Sequence, residues 1–140
     1  QGYHTWATPD GRKAGTPIAD AASPVQGRDK LGPTAVLQSA LSYDHGKFMD
    51  GMALNVRIHP SVLNREDGIA KVRDMTKTYL NSGGMEIQYN IVSSDTMRAA
   101  QADPETYRDL VVRIAGFSAY FVELSLDCQN DLISRTENYL

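Results

Sequence analysis

A chain of 140 residues, 41% of them hydrophobic and 22% charged, has the composition of one ordinary globular unit, long enough to bury a core. A formal net charge of -3 with no Lys/Arg stripe excludes the electrostatic footprint of a nucleic-acid or anionic-membrane binder. No apolar run approaches the ~20 residues needed to cross a bilayer, no signal peptide is visible, and one cysteine excludes an internal disulfide.

The expected setting is therefore cytoplasmic. Gln1 is neither a start methionine nor a small residue exposed after its removal. It implies a processed chain, a fragment, or one piece of a larger assembly.

Residues 1–34 hold Pro9, Gly11, Gly15, Pro17, Pro24, Gly27, Gly32 and Pro33, punctuation that predicts a long ordered loop. Such loops are uncommon in small isolated domains and suit a functional segment lying on another surface. Val36, Leu37, Ala40 and Leu41 predict a short helix within Thr34–Tyr43, and Asp44–Gly51 reads as a loop. Met52–Ile58 predicts a strand ended by His59-Pro60. Asn64 is then read as a helix N-cap, with Glu66 and Asp67 in the first turn. Ile69, Val72, Met75, Tyr79 and Leu80 continue that helix at the right spacing until Ser82-Gly83-Gly84 stops it.

Met85, Ile87, Tyr89 and Ile91 alternate with Glu86, Gln88 and Asn90, the pattern of a half-buried strand. Ser94 reads as the cap of a helix to about Ala102, and Pro104 as the first turn of another to about Asp109. Two strand-like apolar runs, Leu110–Ile114 and Ala119–Leu124, flank Ala115-Gly116, and Ser125 caps a last amphipathic helix carrying Leu126, Leu132 and Ile133. The fold class is mixed α/β.

The chemically informative stretch is Arg113-Ile114-Ala115-Gly116-Phe117-Ser118-Ala119-Tyr120. By pattern alone, a glycine between two strands is a tight turn. The stretch also resembles the signature of the glycyl radical enzymes, Arg-Val-x-Gly-Tyr, with Ile114 for valine and Phe117 where tyrosine is usual. The resemblance runs through the chain in the family's order. It includes Thr8–Gly15, Gly32–Leu37, Gly83–Asn90, Asp103–Leu110, and the tail from Glu123-Leu124-Ser125 to Ile133-Ser134-Arg135-Thr136-Glu137. The tail and the Asp103–Leu110 stretch look closer to the dehydratase and carbon–heteroatom lyase branch than to pyruvate formate-lyase.

Several expectations follow from the resemblance. The fold would be the C-terminal part of a ten-stranded β/α barrel with the glycine loop inserted in it. Residues 1–84 would form a barrel segment with the long Gly/Pro-rich loop, and residues 85–140 the glycyl radical domain. Gly116 would be the catalytic, modified residue that stores an unpaired electron. A backbone radical is stabilised when the carbon flattens between a donating amide nitrogen and a withdrawing carbonyl, and glycine has no Cβ to crowd that arrangement. Ala115, Ser118 and Ala119 would leave room around Gly116, while Val111, Val112, Phe117, Phe121 and Val122 would shield it from water and oxygen.

No bound cofactor is implied. A separate activase, using S-adenosylmethionine and an iron–sulfur cluster, would take a hydrogen from Gly116. The radical would then pass to a cysteine inside the barrel and on to a small-molecule substrate. For activation the loop must leave the barrel, so it should open at low cost.

The family's cysteine loop, typically Gly-Cys-x-Glu, is absent from these residues, and Cys128 stands in the tail, where relatives need no thiol. Cys128 is read as a packing or surface residue. The chain would therefore be inactive alone, needing a cysteine-bearing barrel portion or large subunit, within an oligomer. A second reading, from a different class, is a stand-alone rescue protein that replaces the oxygen-cleaved C-terminus of a pyruvate formate-lyase-like enzyme.

Asn55–Ser61 resembles the last barrel strand, which places Arg57, Pro60 and Ser61 as pocket-lining residues, with Arg57 suited to a carboxylate or sulfonate. His4, His45 and His59 lack metal-ligand spacing, so no metal is assigned. Gly11, Lys13 and Gly15 lack the order of a phosphate-binding loop.

Overall fold

The computed structural model describes residues 2–25, 27–114, 116–135 and 137–138. Ala115, expected to leave room beside Gly116, and Thr136 of the tail motif lie outside the described residues. The elements in chain order are α1 (Pro33–Ala40), β1 (Ala53–Arg57), α2 (Gly68–Asn81), β2 (Glu86–Asn90), α3 (Ser94–Ala102), β3 (Val111–Arg113), β4 (Ser118–Tyr120) and α4 (Leu126–Ser134). Residues 2–32 contain no helix or strand among the described residues.

β1, α2 and β2 form a β/α unit. The strands pair in parallel with Leu54 opposite Ile87 and Val56 opposite Tyr89. Because side chains alternate across a strand, these four residues share one face. Leu54, Val56 and Ile58 are buried there with Val36, Leu37, Val62 and Tyr79, and Val72 and Met75 of α2 pack against them. The opposite face carries Asn55 opposite Gln88 and Arg57 opposite Asn90. That face is polar.

A second core gathers Met97 and Ala100 of α3, Val112 of β3, Phe121 and Leu132 of α4. β3 and β4 form an antiparallel hairpin over it. The backbone of Asn138 returns beside β1: its amide donates to Arg57 O at 3.1 Å and its carbonyl accepts from His59 N at 3.0 Å.

Four expectations about element ends are corrected. α2 starts at Gly68, not after Asn64; its N-cap is Asp67, whose side chain makes no cap bond. Before it the chain is closed in turns, with Arg65 N donating to the Val62 carbonyl at 3.2 Å and Gly68 N to the Arg65 carbonyl at 3.1 Å, and it passes so close to itself that a Cβ on Gly68 would lie 1.7 Å from the Val62 carbonyl oxygen. α3 is capped by Ser93, not Ser94, and its hydroxyl oxygen accepts from Thr96 N at 3.1 Å.

Pro104–Asp109 is a series of turns rather than a helix. The Asp103 carboxylate takes both the Thr106 amide and its hydroxyl, satisfying locally groups a helix would pair along its axis. The last apolar run is strand only to Tyr120 and then a 3₁₀ turn over Phe121–Glu123. There the Gln129 side-chain amide donates to the Phe121 and Leu124 carbonyls at 3.1 and 3.0 Å. As expected, Ser125 caps α4, its hydroxyl oxygen accepting from Cys128 N.

Candidate functional site

Gly116 sits at the tip of the β3–β4 hairpin. Arg113 pairs with Ser118, and the Ile114 amide donates to the Phe117 carbonyl at 3.0 Å, closing the turn. At φ +81°, Gly116 occupies the left-handed region that side chains disfavour, and a Cβ built there meets nothing within 4 Å. Within this chain the position has room on the side a Cβ would occupy.

The hairpin buries one face only. Val112 and Phe121 are in the core, and Val122 packs against it. Val111 is 50% exposed, Phe117 56%, and Gly116 itself is exposed. Within this chain, Val112, Phe121 and Val122 face its own core while Val111 and Phe117 do not. Strand alternation turns Val111 and Tyr120 outward where Val112 turns in. Ser118 is exposed and Ala119 partly buried, and neither crowds Gly116.

The tip is tied to the rest of the protein by side chains that sequence reading did not single out. Gln88 Oε1 accepts from Gly116 N at 3.3 Å and from Arg113 Nε at 2.8 Å. Asn90 Nδ2 donates to the Arg113 carbonyl at 3.2 Å. Arg135 Nη1 donates to the Ile114 carbonyl at 3.0 Å, and its guanidinium is ion-paired with Asp131 and Asp20. The available signal was the alternation itself: Gln88 and Asn90 are the polar half of a strand whose apolar half packs on the core.

Arg57 is 5% exposed. It borders a cavity of about 80 Å³ together with Asn55, Asn90, Arg113 and Arg135. Its guanidinium bonds to protein groups: the Leu132 carbonyl at 2.7 Å, the Ile133 carbonyl at 3.3 Å, the Ser94 hydroxyl and the Glu137 carboxylate. The first two are last-turn carbonyls of α4, where a cation complements the helix dipole. Glu137 also accepts from the Ser94 amide at the start of α3. Burial pushes the Glu137 carboxyl up, but the bonds from Arg57 and Ser94 outweigh it, so its pKa lies below the ordinary value. Pro60 and Ser61 lie in a 3₁₀ turn after β1, Pro60 half-buried and Ser61 exposed.

Cys128 is a free, partly exposed thiol in the first turn of α4. His45 is a core residue, its Nε2 2.8 Å from the Ala40 carbonyl and its ring stacked on Tyr43. Among the described residues, no group of three His, Cys, Asp or Glu side chains could hold a metal, and no helix is long and apolar enough to cross a membrane.

The family model described as "Glycine radical" matches residues 18–122, and the chain belongs to that family. It is 47% identical over 140 residues to the Probable dehydratase YbiW of Escherichia coli, covering 99% of this chain and 17% of that protein. It is 46% identical over 134 residues to the isethionate sulfite-lyase of Oleidesulfovibrio alaskensis, covering 94% of this chain and 16% of that protein.

Among solved structures, the glycerol-bound B12-independent glycerol dehydratase from Clostridium butyricum superposes with a TM-score of 0.92 at 42% identity. That match covers 99% of this chain and 18% of the dehydratase. The chain thus spans less than a fifth of the length of these relatives.

Proposed function

We propose that this chain is the radical-carrying C-terminal portion or small subunit of a glycyl radical lyase, of the dehydratase type that breaks carbon–oxygen or carbon–nitrogen bonds. Residues 1–84 supply the end of a ten-stranded β/α barrel, and residues 85–140 the glycyl radical domain. The observation that carries the reading is Gly116 itself, the glycine of the family signature, held at a hairpin tip with open space where a side chain would be. The exposed apolar face of the hairpin, Val111, Phe117 and Tyr120, suits cover by the remaining barrel, since apolar patches of this kind mark contact surfaces.

The chemistry proceeds in three hydrogen transfers. An activase cleaves S-adenosylmethionine reductively with its iron–sulfur cluster, and the resulting adenosyl radical takes one Hα from Gly116, leaving 5′-deoxyadenosine and the Gly116 radical. The Gly116 radical takes the thiol hydrogen of a cysteine on the barrel portion, restoring glycine and leaving a thiyl radical. The thiyl takes a hydrogen atom from a small-molecule substrate. Arg57 borders the cavity as a pocket-lining residue while its guanidinium also bonds α3, α4 and Glu137. Pro60 and Ser61, just past the end of β1, line the pocket with it.

The test is anaerobic incubation of the assembled enzyme with an activase, S-adenosylmethionine and reductant, followed by electron paramagnetic resonance. The expected result is a doublet from a radical coupled to one α-hydrogen. Air should then break the activated chain at Gly116, leaving a C-terminal piece of about 24 residues by sequence count, which mass spectrometry would detect. No doublet under conditions that activate a related enzyme would refute the proposal.

A further inference from the structure

Within this chain the hairpin tip has no apolar cover, and side-chain hydrogen bonds hold it to the rest of the fold. Gln88 holds the Gly116 amide and Arg113 side chain, Asn90 holds the Arg113 carbonyl, and Arg135 holds the Ile114 carbonyl. These contacts fall on Arg113, Ile114 and Gly116, the backbone that must move if the glycine is to leave the sheet. Hydrogen bonds suit this task. Each contributes modestly to stability, yet each is directional, so together they fix an orientation without making departure prohibitive.

Gln88 has a special place among them. Its amide oxygen bonds the N–H adjoining the Gly116 α-carbon. An N–H that donates to an acceptor leaves its nitrogen more electron-rich, and nitrogen donation is one of the two effects that stabilise a flattened α-carbon radical.

We propose that Gln88 is a positioning residue for Gly116: its side-chain oxygen latches the glycine loop to the polar face of the β1–β2 sheet and tunes the peptide group that flanks the α-carbon. The latch is a property of the resting protein. Its role in tuning the radical rests on the function proposed above.

Two substitutions separate the possibilities. Gln88→Met keeps length and bulk but removes the acceptor. Gln88→Glu keeps the acceptor geometry and makes it anionic, strengthening the bonds from Arg113 and Gly116. It would also set a second carboxylate against Glu86, which now accepts from the Gln88 amide on an exposed side chain, so Gln88→Glu is made and compared in a Glu86→Gln background.

Hydrogen exchange is measured on the assembled, unactivated enzyme. In Gln88→Met, amides across residues 108–122 should exchange roughly fivefold faster, the equivalent of one ordinary hydrogen bond lost. In Gln88→Glu they should exchange more slowly than in Glu86→Gln alone. Amides of α2 and β1 should change in neither, which a merely structural role for Gln88 would not predict.

After activation, the Gln88→Met doublet should decay faster in air and the Gln88→Glu doublet form more slowly. Unchanged exchange over 108–122 in both variants, or a shift of the same sign in both, overturns the latch. If exchange moves as expected but wild type never gives a doublet, the latch stands and the radical function falls.

Discussion

Gly116→Ala separates the chemistry of the α-carbon from the folding of the chain. The structure permits an estimate of its structural cost. A methyl at this position meets nothing within 4 Å, so packing within this chain contributes no penalty. What remains is the backbone: an alanine held at φ +81° costs about 1–2 kcal/mol, and the lower unfolded-state entropy of alanine offsets about 0.4–1 kcal/mol of that. The net loss is therefore about 1 kcal/mol, a shift of roughly 2–4 °C in a thermal transition of a domain near this size.

Gly68 is the contrasting case, because its added methyl would sit 1.7 Å from the Val62 carbonyl oxygen. Backbone would have to move, with a loss of about 3 kcal/mol or more. The assay pairs thermal unfolding of wild type, Gly116→Ala and Gly68→Ala with electron paramagnetic resonance after anaerobic activation. Gly116→Ala should fold nearly as well as wild type and lose the doublet completely. A Gly116→Ala protein that keeps the wild-type doublet, or that unfolds as readily as Gly68→Ala, would refute the reasoning.

Two further outcomes follow from the buried ion pair. Arg57→Met should destabilise the protein by about 3–5 kcal/mol in denaturant unfolding, because it leaves a carboxylate and two α4 carbonyls without their shared donor; a loss under about 1 kcal/mol would mean the pair is dispensable. Glu137 has a depressed pKa in the folded protein, so its contribution is present above its ordinary value of 4.5 and lost as pH falls through the lower folded value. An acid titration of stability should therefore fall more steeply below about pH 4.5 in wild type than in Glu137→Gln, and identical acid limbs would count against the arrangement.

Where apolar residues recur with a regular period, the sequence was readable. The alternation from Met85 to Ile91 and the spacing of Val72, Met75 and Tyr79 produce β2 and α2, and the two apolar runs around Gly116 produce the hairpin. The misread ends are places where a side chain or a close approach overrules periodicity. Asp103 captures Thr106, Gln129 captures the carbonyls after Tyr120, and Gly68 meets Val62.

Gly116 draws attention through the signature it stands in; the partners folding gives it do not show in the sequence. Gln88 lies 28 residues from Gly116, Arg135 lies 21 from Ile114, and Arg57 lies 80 from Glu137. Such pairings arise only once the β/α unit and α4 are packed together. For Arg57 the sequence holds no sign of its protein partners, the end of α4 and Glu137, which folding brings onto it.

The return of Asn138 to β1 bears on damage. A scission at Gly116 would leave everything from Phe117 onward without a covalent link to the rest, yet Phe121 and Leu132 would stay embedded in the second core, Asn138 would stay stitched to the edge of β1, and Glu137 would stay gripped by Arg57. The nicked protein would keep its outline. Repair would then require prising out a well-seated remnant, not merely filling a gap, and a replacement segment would have to compete with an occupant still in place.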